Sequence, residues 1–243
     1  MDKKLYVVGI GPNGKELMTL NAVNILKECE YIVGYSKYID RIKDDFEGIE
    51  FISTSMRTER ERALKAFELA EKGLKVALIS SGDSGIYGMA CLAFEIVEKF
   101  SDVELKIIPG ITIANSAASL LGSPLTLDFA VISLSDILVE WATIEKRLNN
   151  FAESGVTTII YNPKSINRDW QLEKAFNIFK RYRKEFFVCV VKNGFMDNQE
   201  IIITNSCSND WIKNVDMMSV VYFCDENAVK INNKIVVPRG YDK

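Results

Sequence analysis

The sequence predicts an α/β fold of two lobes, with a mostly parallel sheet in the N-terminal lobe and a mixed sheet with antiparallel strands in the C-terminal lobe. Three observations predict it. Through the first half, short apolar runs alternate with helix-periodic segments, the pattern of crossover units around a parallel sheet. At "GSPLTLD" (122–128), Gly122 stops a helix and Pro124 prevents its resumption, which places the lobes at 1–122 and 123–243. Toward the C-terminus, "EIIIT", "MSVVYFC" and "KINNKIVVP" follow one another with little helix between them.

The elements read in order as follows. "KLYVVGIG" is a strand, and residues 15–30 form a helix with Leu17, Leu20, Val23 and Leu26 on one side. "YIVG" (31–34) is a short buried strand. Residues 57–72 form a helix with Ala63, Ala66, Phe67 and Ala70 inward, Gly73 as its stop, and Thr58 and Glu61 at capping-box spacing. "KVALIS" is a strand, 86–99 a helix, "ELKIIP" a strand and 112–121 an alanine-rich helix. The second half begins with the strand "FAVISLS" and continues with a helix at 140–153, "TTIIYNP", a helix at 168–182 and "FFVCVVKN". Asn232–Asn233 suits a hairpin turn. Ligands of such sheets sit at the carboxyl ends of strands, and two-lobed chains favour the cleft between lobes.

Composition narrows the chemistry. Of 243 residues, 48% are hydrophobic and none is histidine. The missing histidine excludes Ser-His-Asp and Cys-His catalysis and imidazole metal sites. Cys29, Cys91, Cys189, Cys207 and Cys224 show no C-x-x-C spacing, so no metal cluster is expected, and they read as buried reduced thiols. The net charge of −3 falls in the first half (15 basic and 18 acidic side chains in 1–122) and is zero in the second (15 and 15), so neither half is a nucleic-acid surface. No apolar run is long enough for a membrane span, and no apolar leader opens the chain, which reads as cytoplasmic.

Glycine-rich turns carry the functional signal. "GIGPNG" (9–14) has the G-x-G-x-x-G spacing of a dinucleotide site. Against that, Pro12 lacks an N–H for a pyrophosphate, and no acidic residue follows the second strand, Glu30 preceding it. A nucleotide-dependent oxidoreductase using Gly9–Gly14 is therefore the alternative reading of another class. "SSGDSGIYGMA" (80–90) has no Gly-Lys-Ser/Thr, and Asp83 inside the turn would repel phosphate but suit a cationic ligand. "PGITIANSAASLLG" places Pro109, Gly110 and Thr112 after a strand, and "IIYNPKS" ends a strand at Tyr161 and Asn162.

Taken together, "VVGIGP", "SSGDSGIYGMA", "PGITIANSAASLLGSPL", "DFAVISLSD", "YNPKS" and "VPRGY" resemble the tetrapyrrole methylases, in order, from about Leu5 to Tyr241. Within that family the resemblance is to the subgroup that methylates carbon 17 of cobalt-precorrin-3 or precorrin-3B, with ring contraction, in cobalamin (porphyrin-type) biosynthesis. A family member acting at another position, C11 or C20, is the nearer alternative. The resemblance implies a homodimer, with S-adenosylmethionine in the cleft between lobes. It implies cofactor contacts at Pro12, Gly82, Asp83, Ile86, Thr112, Ala114, Tyr161 and Asn162, with Asn193, Ser219 and Val220 added from later strands. Two positions depart from the family pattern: Asn13 in the usual G-P-G and Ser84 in the usual G-D-P. Asn tolerates positive φ, so the first turn survives. Ser84 lacks proline's fixed φ, which predicts a looser loop.

The implied reaction transfers a methyl group from a sulfonium to a ring carbon, which is mostly a matter of positioning. Ring contraction adds a lactone-forming step that could use an acid or base. Asp136, Ser135 and Glu140 are the candidates, with a helix cap as the plain reading of Asp136. An anionic tetrapyrrole needs cations, and Arg57, Lys164, Arg168 and Arg239 are placed for it. Arg60 and Arg62 alternate with Glu59 and Glu61 and read as a solvated face. Any cobalt would arrive inside the substrate.

Overall fold

A computed structural model describes residues 3–241 of the chain. Contacts divide it into two compact units, the first ending at Ile113 and the second beginning at Ala114.

The first unit is built on a five-stranded sheet of β1 (Lys4–Gly9), β2 (Tyr31–Tyr35), β3 (Glu50–Thr54), β4 (Val76–Ser80) and β5 (Glu104–Ile108), in the order β3-β2-β4-β1-β5. All its pairings are parallel. Alternation along the strands feeds two cores. Leu5, Val7, Val76 and Leu78 pack under α3 (Glu59–Glu71) and α4 (Ala90–Val97). Val8, Ala77, Ile79 and Ile108 pack under α1 (Leu20–Glu28) and α2 (Ser36–Ile39). β4 is buried at every position, as a strand covered on both faces must be. The connection from β1 runs through α1 on one face and the connection from β4 through α4 on the other, so the order reverses between these adjacent strands. That reversal is where such sheets bind ligands.

The second unit takes in α5 (Ile113–Leu121) from its second residue on, the helix that the sequence assigns to the first lobe by its stop at Gly122. Its sheet comprises β7 (Phe129–Ser133), β8 (Thr157–Tyr161), β9 (Phe187–Lys192), β10 (Glu200–Asn205) and β11 (Ser219–Phe223), in the order β10-β9-β11-β8-β7. Only β7 and β8 are parallel. One face packs under α6 (Trp141–Glu153) and α7 (Trp170–Tyr182), around Phe176, Phe179, Phe186 and Phe223. Arg183 ends α7 inside this unit, with its guanidinium shared among the carbonyls of Phe151, Ala152, Val156 and Cys224 at 2.8–3.0 Å. A three-stranded sheet orders β12 (Val229–Ile231), β13 (Lys234–Val236) and β6 (Gly122–Ser123). Asn232 and Asn233, with φ of 48° and 61°, make the expected hairpin turn.

Several elements differ from the sequence reading. The helix expected over 15–30 is a 3-10 turn at Lys15–Leu17 followed by α1, because Thr19 caps the latter by accepting from Ala22 N–H at 3.1 Å. Leu20 is consequently exposed, while Met18 and Ala22 are buried. Thr58 precedes α3 but makes no cap; its hydroxyl donates to Ser55 O at 2.8 Å. Arg62 is not a solvated residue. Its guanidinium lies inside, donating to Thr54 Oγ1 at 2.6 Å and to Ser55 O at 2.9 Å. α2 and β3 were not evident from pattern. Cys29, Cys189 and Cys224 are buried, the Cys29 thiol being pushed up to about 12 mainly by burial, whereas Cys91 and Cys207 are exposed. Among the described residues, no helix is long and apolar enough to cross a membrane.

Candidate active site

In the first unit, three turns at the carboxyl ends of β4, β1 and β5 meet main chain to main chain. Gly11 and Gly82 exchange both hydrogen bonds, at 3.0 and 2.8 Å. A Cβ on Gly9 would lie 2.7 Å from both Gly110 N and Gly82 O, and one on Gly110 would collide with Gly82 O. These glycines therefore let the turns stack on one another. Gly11, Gly14 and Gly82 also have φ between 67° and 73°, conformations that other residues rarely adopt. The positive φ of the first turn falls on Gly11 and Gly14 and not on Asn13, so the Asn13 departure makes no demand on it.

Asp83 is the clasp of this cluster. Its Oδ1 accepts from Gly85 N–H at 2.8 Å and Ile86 N–H at 3.1 Å, and its Oδ2 accepts from Gly110 N–H at 2.9 Å. The carboxylate thus braces its own loop and ties it to the β5 turn. Ser84 is fully buried, and its hydroxyl donates to Ile108 O at 3.1 Å, a tether that proline could not make. The loosening expected from losing proline's fixed φ is offset by that bond. Met89 N–H bonds Ser80 Oγ at 2.9 Å, so the turn persists to Met89 and α4 starts only at Ala90, later than the expected 86. Ile86 and Tyr87 stand exposed on the loop, and Thr112 is half-buried. Pro12 is buried in the first turn, its carbonyl accepting from Arg41 Nη1 at 3.3 Å.

No Lys or Arg occurs in residues 9–14, 80–90 or 109–114. The turn segments themselves carry one charge, the Asp83 carboxylate, while Arg41 reaches the first turn from outside through the Pro12 carbonyl. No acidic residue ends β2 either; Glu30 sits at its start, where it accepts from Lys75 N–H at 2.8 Å.

The second unit gathers its candidates at one sheet end. Tyr161 ends β8, and its hydroxyl accepts from Ala114 N–H at 2.9 Å. Asn162 follows with φ 48° and donates to Ser133 Oγ at 2.9 Å, joining the ends of β8 and β7. Because β11 is antiparallel, its first residues Ser219 and Val220 lie at this same end. So does Asn193, whose N–H bonds Met218 O at 3.0 Å. Asp216 accepts from Lys192 Nζ at 3.1 Å, Met218 N–H at 2.8 Å and Ser219 Oγ at 3.1 Å. Burial works against its charge, but those bonds together hold its pKa below the usual carboxylate range.

Asp136 is not a helix cap: α6 begins at Trp141 and Glu140 occupies the cap position. Instead, Asp136 Oδ2 accepts from the buried Gln171 Nε2 at 2.9 Å. Ser135 N–H bonds Ser133 Oγ at 3.1 Å. Arg168 is 7% exposed, with Nη2 at 3.9 Å from Met217 Sδ and Nη1 without a hydrogen-bond partner. Burial is the main influence lowering its pKa, opposed by the charge of Asp136. Lys164 shares this loop. Arg57 lies elsewhere, before α3 and after the edge strand β3, and Arg239 lies in the tail, held by Thr126 O at 3.3 Å. Gln171 and Tyr222 escaped the sequence reading. Tyr222 carried a signal, since a tyrosine in a buried strand needs a partner for its hydroxyl.

The family model described as Tetrapyrrole (Corrin/Porphyrin) Methylases matches residues 4–207. A "Probable cobalt-factor III C(17)-methyltransferase" of Salmonella typhimurium is 41% identical over 239 residues, covering 98% of this chain and 99% of that protein. The "Cobalamin biosynthesis protein CbiHC" of Archaeoglobus fulgidus is 44% identical over 98% of this chain, which spans only 53% of that protein. Among solved structures, "the methyltransferase CobJ" superposes with a TM-score of 0.91 at 31% identity, covering 96% of this chain and 99% of that one.

Proposed function

Since this chain belongs to the tetrapyrrole methylases, we propose that it methylates carbon 17 of a cobalt-factor III or precorrin-3B type tetrapyrrole, with S-adenosylmethionine as methyl donor, in cobalamin biosynthesis. The observation that carries this reading is the end-to-end match to the Salmonella protein. The cobalt form follows that relative's name. Ring contraction and a homodimer belong to the same proposal.

The cofactor, when bound, supplies an electrophilic methyl group. The first unit would contact it through Pro12, Gly82, Asp83, Ile86 and Thr112. The second would do so through Ala114, Tyr161, Asn162, Asn193, Ser219 and Val220. The glycine turns themselves contain no Lys or Arg, and Pro12 offers no N–H, which speaks against a phosphate ligand. Asp83 acts here mainly by holding Gly85, Ile86 and Gly110 in place. An electron-rich ring carbon needs no strong base to attack, which agrees with a chain without histidine. For lactone formation, Asp136 is the foremost proton-transfer group, aligned by Gln171. Ser135 and Glu140 are its neighbours in sequence. Lys164 and Arg168, with Arg57 and Arg239, would meet substrate carboxylates.

Anaerobic incubation with the cobalt tetrapyrrole and S-adenosylmethionine tests the proposal by product mass. The expected product carries one added methyl group. Binding of NADPH by titration, without binding of S-adenosylmethionine, would favour the oxidoreductase reading instead.

A further inference from the structure

We infer that Tyr222 is a positioning residue, fixing the first turn of α5 so that its main chain can meet the cofactor. The inference rests on the cofactor reading above, in which Thr112 and Ala114 are contacts.

Tyr222 is fully buried in the middle of β11. The register sets it opposite Ile159 of β8. Tyr161 lies two residues further along β8, and alternation puts both phenols on the same face of the sheet. There the two hydroxyls close on one residue. Tyr161 Oη accepts from Ala114 N–H at 2.9 Å, and Tyr222 Oη donates to Ala114 O at 2.8 Å.

Ala114 N–H belongs to the first turn of α5, whose amides have no intrahelical acceptor. Tyr161 supplies one. The Ala114 carbonyl faces a second donor in Tyr222. Since alanine has no rotamer to adjust, these two bonds fix main chain, which is the part of this turn proposed to touch the cofactor. Tyr222 has no exposed surface and cannot reach a ligand itself, so any effect on binding must pass through the residues it holds, Ala114 among them. Burial, reinforced by the nearby Tyr161, raises the Tyr222 pKa well above its ordinary value, which keeps the hydroxyl a donor across the working pH range.

The test is Tyr222→Phe, which keeps the ring and removes only the hydroxyl. Calorimetry with S-adenosylmethionine should show affinity weakened about fivefold to twentyfold. The KM for S-adenosylmethionine should rise in step, while kcat at saturation stays within about twofold. Hydrogen exchange should speed up at the first turn of α5 and not in β9. Ser206→Ala serves as the control for plain destabilisation: it removes the acceptor of Phe186 N–H, 3.2 Å away at the far end of this sheet. It should lower the thermal midpoint and leave affinity unchanged. A folded Tyr222→Phe protein with wild-type affinity overturns the positioning role. Equal weakening in Ser206→Ala overturns it too, by showing that stability alone controls affinity. If wild-type protein fails to bind S-adenosylmethionine, the cofactor reading falls, and this inference with it. Should Tyr222→Phe not fold, Tyr161→Phe is read by hydrogen exchange instead of affinity, since Tyr161 is itself a proposed contact, and unchanged protection of the first turn of α5 counts against the role.

Discussion

The two units reach similar ends by opposite means. In the first, the turns at the carboxyl ends of the strands are held main chain to main chain, with Gly9, Gly82 and Gly110 in direct contact and Asp83 as the one side chain stitching them. In the second, side chains do the joining: Tyr161 and Tyr222 on Ala114, Asn162 on Ser133, Gln171 on Asp136. A main-chain cluster fails when any side-chain atom is added to it. A side-chain cluster fails only where a particular hydrogen bond is removed, and it fails by degrees. The contrast follows from topology, because three adjacent parallel strands bring their turns together at one end, whereas antiparallel β11 and β9 bring strand starts and ends alternately.

The largest effect should come from adding one carbon to the first cluster. Gly110→Ala would drive a methyl group into Gly82 O and Gly9, main-chain atoms with no room to retreat. We expect a loss of about 3 kcal/mol or more in urea unfolding, together with loss of S-adenosylmethionine binding. Asp83→Ala removes the acceptor of the solvent-facing Gly85 and Ile86 N–H groups and of the part-buried Gly110 N–H and should cost about 1–2 kcal/mol. Asp83→Asn keeps one acceptor oxygen and should fall between wild type and Ala in the same unfolding experiment. An Asn variant as weak as Ala would mean that charge, not bracing, is what Asp83 provides.

The second cluster should yield more gently. Asn162→Ala removes the bond to Ser133 and places a Cβ-bearing residue without a compensating side chain at φ 48°. A loss of about 1–2 kcal/mol is expected, partly recovered by Asn162→Gly, which tolerates that φ. A smaller effect is pH-dependent. Asp216 has its pKa depressed in the folded state, so its contribution is present above the ordinary aspartate pKa of about 3.9 and is lost as pH falls through the depressed value. Lys192→Met should therefore lower stability slightly at neutral pH and flatten the acid limb by the same small amount, small because the pair is substantially exposed.

The sequence made the strands and the glycine turns visible because both are local. Strand alternation shows in a few residues, and a glycine where φ must be positive shows in one. What stayed hidden needed partners distant in sequence. Asp83 reads as a ligand for a cation until Gly110 N–H is seen 2.9 Å from it. Asp136 reads as a helix cap until Gln171 is found beside it. Arg62 alternates with glutamates like a surface residue, yet the end of β3 draws it inward. Leu20 fits an apolar stripe over 15–30 that Thr19 cuts short by capping a helix that begins only at Leu20. Ser84 shows the same limit in the other direction, since a departure from family pattern is repaired by Ile108 O across the fold.

The central claim is the site of methylation. Supplying S-adenosylmethionine with a ¹³C-labelled methyl group, together with the cobalt tetrapyrrole, and locating the label in the product by carbon NMR tests it most directly. The account predicts a single labelled methyl group on carbon 17; a label on C11 or C20, or no transfer by folded protein that binds the cofactor, would contradict it.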